Sequence, residues 1–391
     1  MLSSFQNLAK EFFQDTIKLR RHLHAHPELS FLEKETSAFV AKELRNIGLN
    51  PQEGVADTGV TALIQGERGD GPCIALRADM DALPITEQNQ VPYVSQNPGV
   101  MHACGHDVHT SSLLTAARIL NTLKGNFAGS VKLIFQPGEE KAPGGASLMI
   151  KEGVLNGVNE IVGQHVAPNI PVGKIGFREG MYMASTDEIY MRVHGKGGHG
   201  ASPHTCVDPV VVSSHIIVAL QQIISRNKNP SYPSVLTFGK VVAEGATNII
   251  PNEVYIEGTF RCMNEEWRAE GLQKMQKMAE NMAEAMGARC EFWVVKGYPF
   301  LNNHPELTRR IRQHATEYMG EENIVDLDLW MGGEDFAFYS QVVDASFYRL
   351  GTRNEEKGII SGVHTPTFDI DEKALEIGPG LMAYMAYKEL A

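Results

Sequence analysis

The sequence predicts an α/β fold: a discontinuous domain with a mainly parallel sheet and helices on both faces, into which a ferredoxin-like α+β domain is inserted. Three observations predict it. At 391 residues the chain is long enough to bury two apolar cores. Short apolar runs alternate with helical stretches at both ends of the chain, as strands and crossover helices do in an α/β layer. Between them the order changes to β-α-β-β-α-β, in one uninterrupted piece. The expected division is therefore 1–183 with 296–391 for the discontinuous domain and 184–295 for the insertion.

Up to about Leu49 the apolar residues recur at helical spacing, giving one or two amphipathic helices that end near Gly48 and Pro51. Val60 to Gln65 and Cys73 to Ala78 read as strands, Asp107 to Leu123 as a helix, and Val131 to Gln136 as a strand. Gly145 to Lys151 reads as a helix and Glu160 to His165 as a strand. In the insertion, Asp187 to His194 alternates like a half-buried strand. Asp208-Pro209 then supplies an N-cap and an N1 proline for a helix with Val212, Ile216, Ala219 and Ile223 on one face. Strands Val235 to Val242 and Glu253 to Arg261 follow, then a helix capped by Asn264 and closed at Gly287, then a strand from Ala288 to Val295. Trp267, Met275, Met278, Met282 and Met286 form a stripe on that helix. Methionine stripes can mark adaptable binding surfaces, but the helical period argues for packing on the small sheet. Beyond Lys296 come a helix from His304 to Met319, strands Val325 to Leu329 and Ser346 to Leu350, and a last helix from about Lys373.

A hydrophobic share of 43% and a charged share of 21% match ordinary globular proteins, which argues against disorder and fibrous repeats. The formal net charge of -12 repels phosphate backbones and anionic membranes, so nucleic acid and membrane partners are not expected. No signal-peptide pattern opens the chain, and no run approaches the ~18 apolar residues of a membrane span. Five scattered cysteines fit a reducing compartment, and a cytoplasmic location is the expectation.

Metal-type side chains crowd the segment Met101-His102-Ala103-Cys104-Gly105-His106-Asp107-Val108-His109. A thiolate and imidazoles just ahead of a helix are borderline-soft ligands, and Gly105 lets the backbone turn between Cys104 and His106. A buried cysteine beside satisfied histidines would give the same local pattern. Other strand ends shift the balance. Glu139 and Glu140 follow the strand ending at Gln136, Asp79 and Asp81 leave the strand that starts at Cys73, and His165 ends the strand from Glu160. Ligands of open α/β sheets gather at such carboxyl ends. With His364 of Gly362-Val363-His364-Thr365-Pro366, the set Cys104, His106, Glu140, His165 and His364 offers five ligands, which suits two metal ions sharing bridging groups. A water bridging the two ions would attack a carbonyl. Glu139, beside a ligand but free of metal, would be the general base for that water and then the acid for the leaving nitrogen.

RRHLHAHPELS (20–30), RADMDALP (77–84), MHACGHDVH (101–109), QPGEE (136–140), GGHGASPH (197–204), GGEDFAFY (332–339) and VHTPTF (363–368) together resemble the N-acyl-amino-acid amidohydrolases. That group includes hippurate hydrolases, aminoacylases, auxin-conjugate hydrolases and N-acetyldiaminopimelate deacetylases, and is related to carboxypeptidase G. The matches run in order over nearly the whole chain. The resemblance implies metal-dependent hydrolysis of small N-acyl amino acids, with Cys104, His106, Glu140, His165 and His364 holding two divalent ions and Glu139 catalytic. It admits Zn or Mn, with Co or Ni as further options. It also implies a role for Asp79 in orienting a ligand or positioning the water, for which Asp81 competes. The inserted domain is expected to dimerise and to close over the site. On that reading His199 donates to the scissile carbonyl oxygen, and Asn248 and Arg261 hold a substrate carboxylate. Taken alone, Asn248 reads as a turn residue before Pro251 and Arg261 as a surface ion pair.

His194, His204, His215 and His314 take ordinary structural readings. The chain departs from the resembled pattern at Gly200, where Ala is common, and at Gln164, where Leu is. Because Gln164 neighbours a ligand, it is expected to alter the ligand's surroundings or the substrate preference. Two other functions compete: a metallo-dipeptidase or carboxypeptidase using the same site, and a catalytically inactive metal-binding scaffold. The intact Glu139-Glu140 pair speaks against the scaffold. The missing C-x-x-C and the five spread ligands argue against a zinc nucleoside deaminase, which also uses Cys, His and a nearby Glu.

Overall fold

The first helix, α1 (Leu2–Ala25), ends where Pro27 forces the residue before it out of helical geometry, with His26 at φ -125°. A second, α2 (Lys34–Asn46), begins after an eight-residue break, so the amphipathic opening is two helices. The computed structural model describes all 391 residues, and these form two units. The first comprises Met1–Gly180, Asn302–Asp328 and Asp335–Ala391, and the second Met181–Leu301 and Leu329–Glu334.

The first unit is built on an eight-stranded sheet. Its strands are β1 (Gln52–Val55), β2 (Gly59–Gln65), β3 (Cys73–Asp79), β4 (Ser130–Gln136), β5 (Glu160–Pro171) and β6 (Ile175–Phe177), with Ile324–Asp326 and Asp344–Arg353 from the C-terminal part. Their order is β1, β2, β4, β3, β5, 344–353, β6, 324–326. The heart of the sheet is parallel from β4 through β3 and β5 to 344–353, while β1, β2 and β6 join by antiparallel pairing. The chain steps from β3 to β4 on one side, then back past β3 to β5 on the other. Such a reversal opens a crevice at the carboxyl ends of the strands.

α3 (His106–Thr122) is buried along nearly its whole length because α1 and the C-terminal helix Ala374–Leu390 both pack against it. Its first residue therefore has a fixed position beneath the crevice. β5 continues past His165 to Pro171, held by register with 344–353, and β1 is an edge strand too short and polar to show periodicity.

The second unit has a four-stranded antiparallel sheet of Asp187–His194, Ser234–Val242, Glu253–Cys262 and Arg289–Lys296. Numbered along the chain, the spatial order is 2-3-1-4, the ferredoxin-like arrangement. α4 (Pro209–Gln222) starts at Asp208, whose carboxylate accepts from the Val210 and Val211 amides, and α5 (Glu265–Ala285) starts at Asn264, which accepts from Trp267. Trp267 and Met275 are buried in this unit's core, with Met278 and Met282 packed against it, so most of the methionine stripe is core. One charged pair lies inside: Arg268 donates twice to Asp187, both at 2.7 Å, and again to the Gly297 carbonyl.

Breaking a buried pair from one side strands the other charge. Arg268→Met should lower the stability of this unit by about 3 to 5 kcal/mol, read as an earlier transition in scanning calorimetry. An unshifted transition would show that Asp187 is satisfied without it.

Candidate metal centre

Gly105 is the N-cap of α3 and sits at φ 87°, and a β-carbon there would come within 2.5 Å of a Val166 methyl. Only glycine lets Cys104 and His106 turn in succession into one crevice. Glu139 and Glu140 follow β4, and His165 lies on β5 two residues beyond its last pairing with β3. His364 enters from a loop at φ 61°, a left-handed conformation that costs a non-glycine residue about 1 kcal/mol or more. Its amide donates to the Ala103 carbonyl at 2.7 Å, which ties this loop to the chain just before Cys104.

The five residues expected as ligands come together here. Donor atoms of Cys104, His106 and His165 lie within 4.8 Å of one another, and so do those of Cys104, Glu140 and His364. The Cys104 sulfur belongs to both triads. Glu139 joins through a third group with His106 and Glu140.

Hydrogen bonds on the far side of each ring aim the donors. His165 Nδ1–H donates to the Val166 carbonyl at 2.7 Å, leaving Nε2 as a lone pair 3.4 Å from the Cys104 sulfur. His106 Nδ1–H donates to the Asp81 carbonyl at 2.8 Å, and its buried Nε2 has no hydrogen-bond partner. Glu140 Oε1 is also buried without one: it lies 3.1 Å from His364 Nε2 but lacks the alignment of a hydrogen bond. Buried polar atoms rarely stay unpaired. Two that converge with a thiol and two further imidazoles form a donor set that fits divalent cations.

The electrostatics agree. Burial opposes charge on His106, yet Asp79, Cys104 and Asp81 outweigh it and hold its pKa well above the usual value. The Cys104 sulfur and the Glu140 carboxylate push His364 up to about 10. Burial instead pushes His165 well down, helped by Arg349, and so keeps it a neutral donor. A pocket that stabilises extra protons on imidazoles is one that attracts cations.

The structure divides the two aspartates. Asp81 orients His106, through its carbonyl and through Oδ1 at 3.2 Å, and also accepts from the Glu140 amide at 2.9 Å. Of the two competing aspartates, Asp81 is thus the one whose hydrogen bonds hold His106. Asp79 Oδ2 lies 3.6 Å from His106 Nε2, on the donor side, while Oδ1 accepts from His109 at 2.5 Å. His109, which sequence reasoning passed over, lies within 4.8 Å of both. Its Nε2 accepts from the Val166 amide at 2.9 Å, so the proton sits on Nδ1 and faces Asp79, and the ring is a support rather than a donor to metal. The i, i+3 spacing from His106 along α3 was the available signal.

His199, Asn248 and Arg261 lie in the second unit. A two-stranded ribbon pairs His199 with Ile249, and the Gly200 amide donates to the Asn248 carbonyl at 2.8 Å, so His199 and Asn248 are neighbours. Asn248 does occupy a tight turn, closed by hydrogen bonds between Ala246 and Ile249. Arg261 forms no ion pair, contrary to its surface reading, and burial lowers its pKa. Gln164 points away from the metal donors: consecutive strand residues face opposite ways, and its carbonyl accepts from the Tyr348 hydroxyl at 2.9 Å. Its carbonyl is thus engaged by Tyr348 on the other side of the strand from His165.

With the Asp81 carboxylate removed, His106 would keep the backbone carbonyl but lose Oδ1, and the Glu140 amide would lose its acceptor. Asp81→Ala should weaken metal binding by roughly 10- to 100-fold, measured by competition with a chelating dye; unchanged affinity would mean that Asp81 supports the fold alone.

The description "Peptidase family M20/M25/M40" matches residues 75–388. The chain is 41% identical over 359 residues to N-acetyl-L-cysteine deacetylase of Bacillus subtilis, covering 92% of this chain and 84% of that one. It is 37% identical over 391 residues to thermostable carboxypeptidase 2 of Saccharolobus solfataricus, covering 99% and 98%. Among solved structures, a dinuclear metal-binding peptidase of the M20 family from Bacillus subtilis superposes with a TM-score of 0.85 at 37% identity, covering 97% of this chain and 99% of that one. With its sheet order and clustered donors, the chain belongs to peptidase family M20/M25/M40.

Proposed function

We propose that this hydrolase cleaves the amide bond of small N-acyl amino acids, N-acetyl compounds first among them, with two divalent ions, Zn or Mn, held by Cys104, His106, Glu140, His165 and His364. The observation that carries the reading is the pair of donor triads sharing the Cys104 sulfur, with Glu139 against His106 and Glu140. Similarity to a relative named for N-acetyl-L-cysteine deacetylation supports the acyl class.

Bound there, the ions would supply Lewis-acid polarisation of the acyl carbonyl and acidify a water. The protein does the rest. Glu139, 7% exposed, takes the water's proton and returns it to the leaving nitrogen. Asp79, pinned between Arg77 and His109, adds a fixed negative charge beside His106. His199 is the proposed donor to the acyl oxygen: its Nδ1 accepts from the Ala201 amide at 3.1 Å, which leaves the proton on Nε2. Arg261 and Asn248 are assigned to the substrate carboxylate, and the lack of any ion pair at Arg261 supports its availability.

A second reading, a metallo-carboxypeptidase, is favoured by the likeness to thermostable carboxypeptidase 2. We also propose a homodimer. The stretch Pro209–Asn227 has a mean hydropathy of 1.2 yet is only 33% buried, with Val211 and Val218 exposed. The strand Ser234–Val242 is a sheet edge with exposed Val235 and Val241. An apolar helix face and an open edge in one unit suit a second copy. The free state of all five cysteines supports a reducing, cytoplasmic setting.

Amine release from N-acetyl, N-benzoyl and dipeptide substrates should vanish on chelation and return with Zn or Mn, with N-acyl amino acids ahead; faster dipeptide cleavage would establish the second reading. Glu139→Gln should keep both metals and lose about 10²- to 10⁴-fold in kcat, and near-normal turnover would remove Glu139 from the chemistry. Light scattering at micromolar concentration should give twice the chain mass, falling to one chain in Val218→Glu; a monomer in the unaltered protein would refute the dimer.

A further inference from the structure

Asp335 stands outside every role assigned above, yet its buried carboxylate is among the most heavily bonded in the first unit. Arg77 Nη2 donates to it at 2.7 Å, Gln136 Nε2 reaches both of its oxygens at 2.8 Å, and the Ala146 amide donates at 3.0 Å. Arg77, fully buried, turns its other nitrogens to Asp79 at 2.8 Å and to the Gln136 carbonyl at 2.9 Å. Asp335 also donates its own backbone N–H to Glu139 Oε1, at 3.4 Å. One residue thus touches the end of β3 through Arg77, the end of β4 through Gln136, and the carboxylate assigned to proton transfer.

We propose that Asp335 is a positioning residue for catalysis, fixing Glu139 and Asp79 relative to each other by clamping the ends of β3 and β4. The inference rests on the assignment of Glu139 as general base. The chemistry of the clamp is specific: the side chain accepts from three different donors, so an asparagine in its place must set an N–H against one of them. Gln136→Glu beside Asp335→Asn would return an acceptor to the cluster and restore its net charge. The bond to Glu139 is long, as catalytic hydrogen bonds are before substrate binds.

Asp335→Asn should retain two metal ions per chain by elemental analysis, keep KM within about threefold, and lose about 100-fold in kcat. Gln136→Glu added to it should recover at least about tenfold of that loss, which a merely structural role would not predict for turnover at constant KM. Should Asp335→Asn not fold, Gln136→Met, which leaves the Arg77–Asp335 pair in place, carries the test: kcat down about tenfold at unaltered KM supports the clamp. In either variant, near-normal kcat, or an effect confined to KM or to metal content, overturns it. If Glu139→Gln is inactive while Asp335→Asn is normal, this inference alone fails; if Glu139→Gln is normal, the general-base assignment fails first.

Discussion

Arg77 is a cation with no access to water, held by Asp79, Gln136 and Asp335. An unpaired charge in that position would be prohibitively costly, and pairing it with one carboxylate would leave donors unmet. The network answers both demands, and the site depends on the result. Several acids and imidazoles share a water-poor crevice at the strand ends, where like charges repel and burial favours neutral forms. Arg77 balances Asp79 on the metal-donor side, and its neutral partner Gln136 spreads the remaining hydrogen bonds without adding charge. The carboxylates can then stay ionised and stationary.

The same balance explains why the first thirty residues matter to a crevice formed far along the chain. Arg20, fully buried in α1, donates to Asp107 at 2.7 Å, and His24 reaches Asp107 at 2.7 Å and Glu87 at 3.1 Å. Asp107 directly follows His106 in the first turn of α3. Burial alone would raise the Asp107 pKa, but Arg20 and His24 hold it far below the carboxylate range, so it stays charged. A charged Asp107 locked to α1 leaves the helix start no freedom to turn, and the ring of His106 inherits that rigidity. The basic and histidine-rich segment ending in Pro27 is therefore part of the site's foundation, although none of its side chains is a proposed ligand.

Much of this architecture was legible in the sequence because local chemistry and tertiary placement coincide. Asp208-Pro209 and Asn264 announce their helices by capping. Gly105 marks a turn no other residue could make, and strand-terminal acids and imidazoles fall where a parallel sheet gathers ligands. What was not legible depends on direction rather than identity. Asp79 and Asp81 are two residues apart and chemically alike, and only the approach of His106 Nδ1 to Asp81 separates their roles. Gln164 adjoins a ligand in sequence but turns to Tyr348, a partner 184 residues away. Asp335 lies in the quoted segment GGEDFAFY, but nothing local showed its role, because its partners lie about 190 to 260 residues earlier, at Arg77, Gln136 and Ala146.

The distribution of strain follows from the same division. His364 sits at φ 61°, where glycine would be cheaper, and its amide is spent on Ala103. A glycine would relieve the backbone but remove the imidazole that lies beside Glu140 and the Cys104 triad. Gly105 solves the opposite problem, because its backbone must be left-handed while no side chain fits against Val166. At one position the fold accepts a conformational cost to place a donor, and at the other it gives up a side chain to aim the two donors on either side. Both concessions fall within the same few ångströms, while the sheet beneath keeps regular pairing from β4 through β3 to β5. Irregularity at these two positions, on a regular support, is what a preorganised site requires: the cost is met once, in folding, and the donors need not rearrange when their partners arrive.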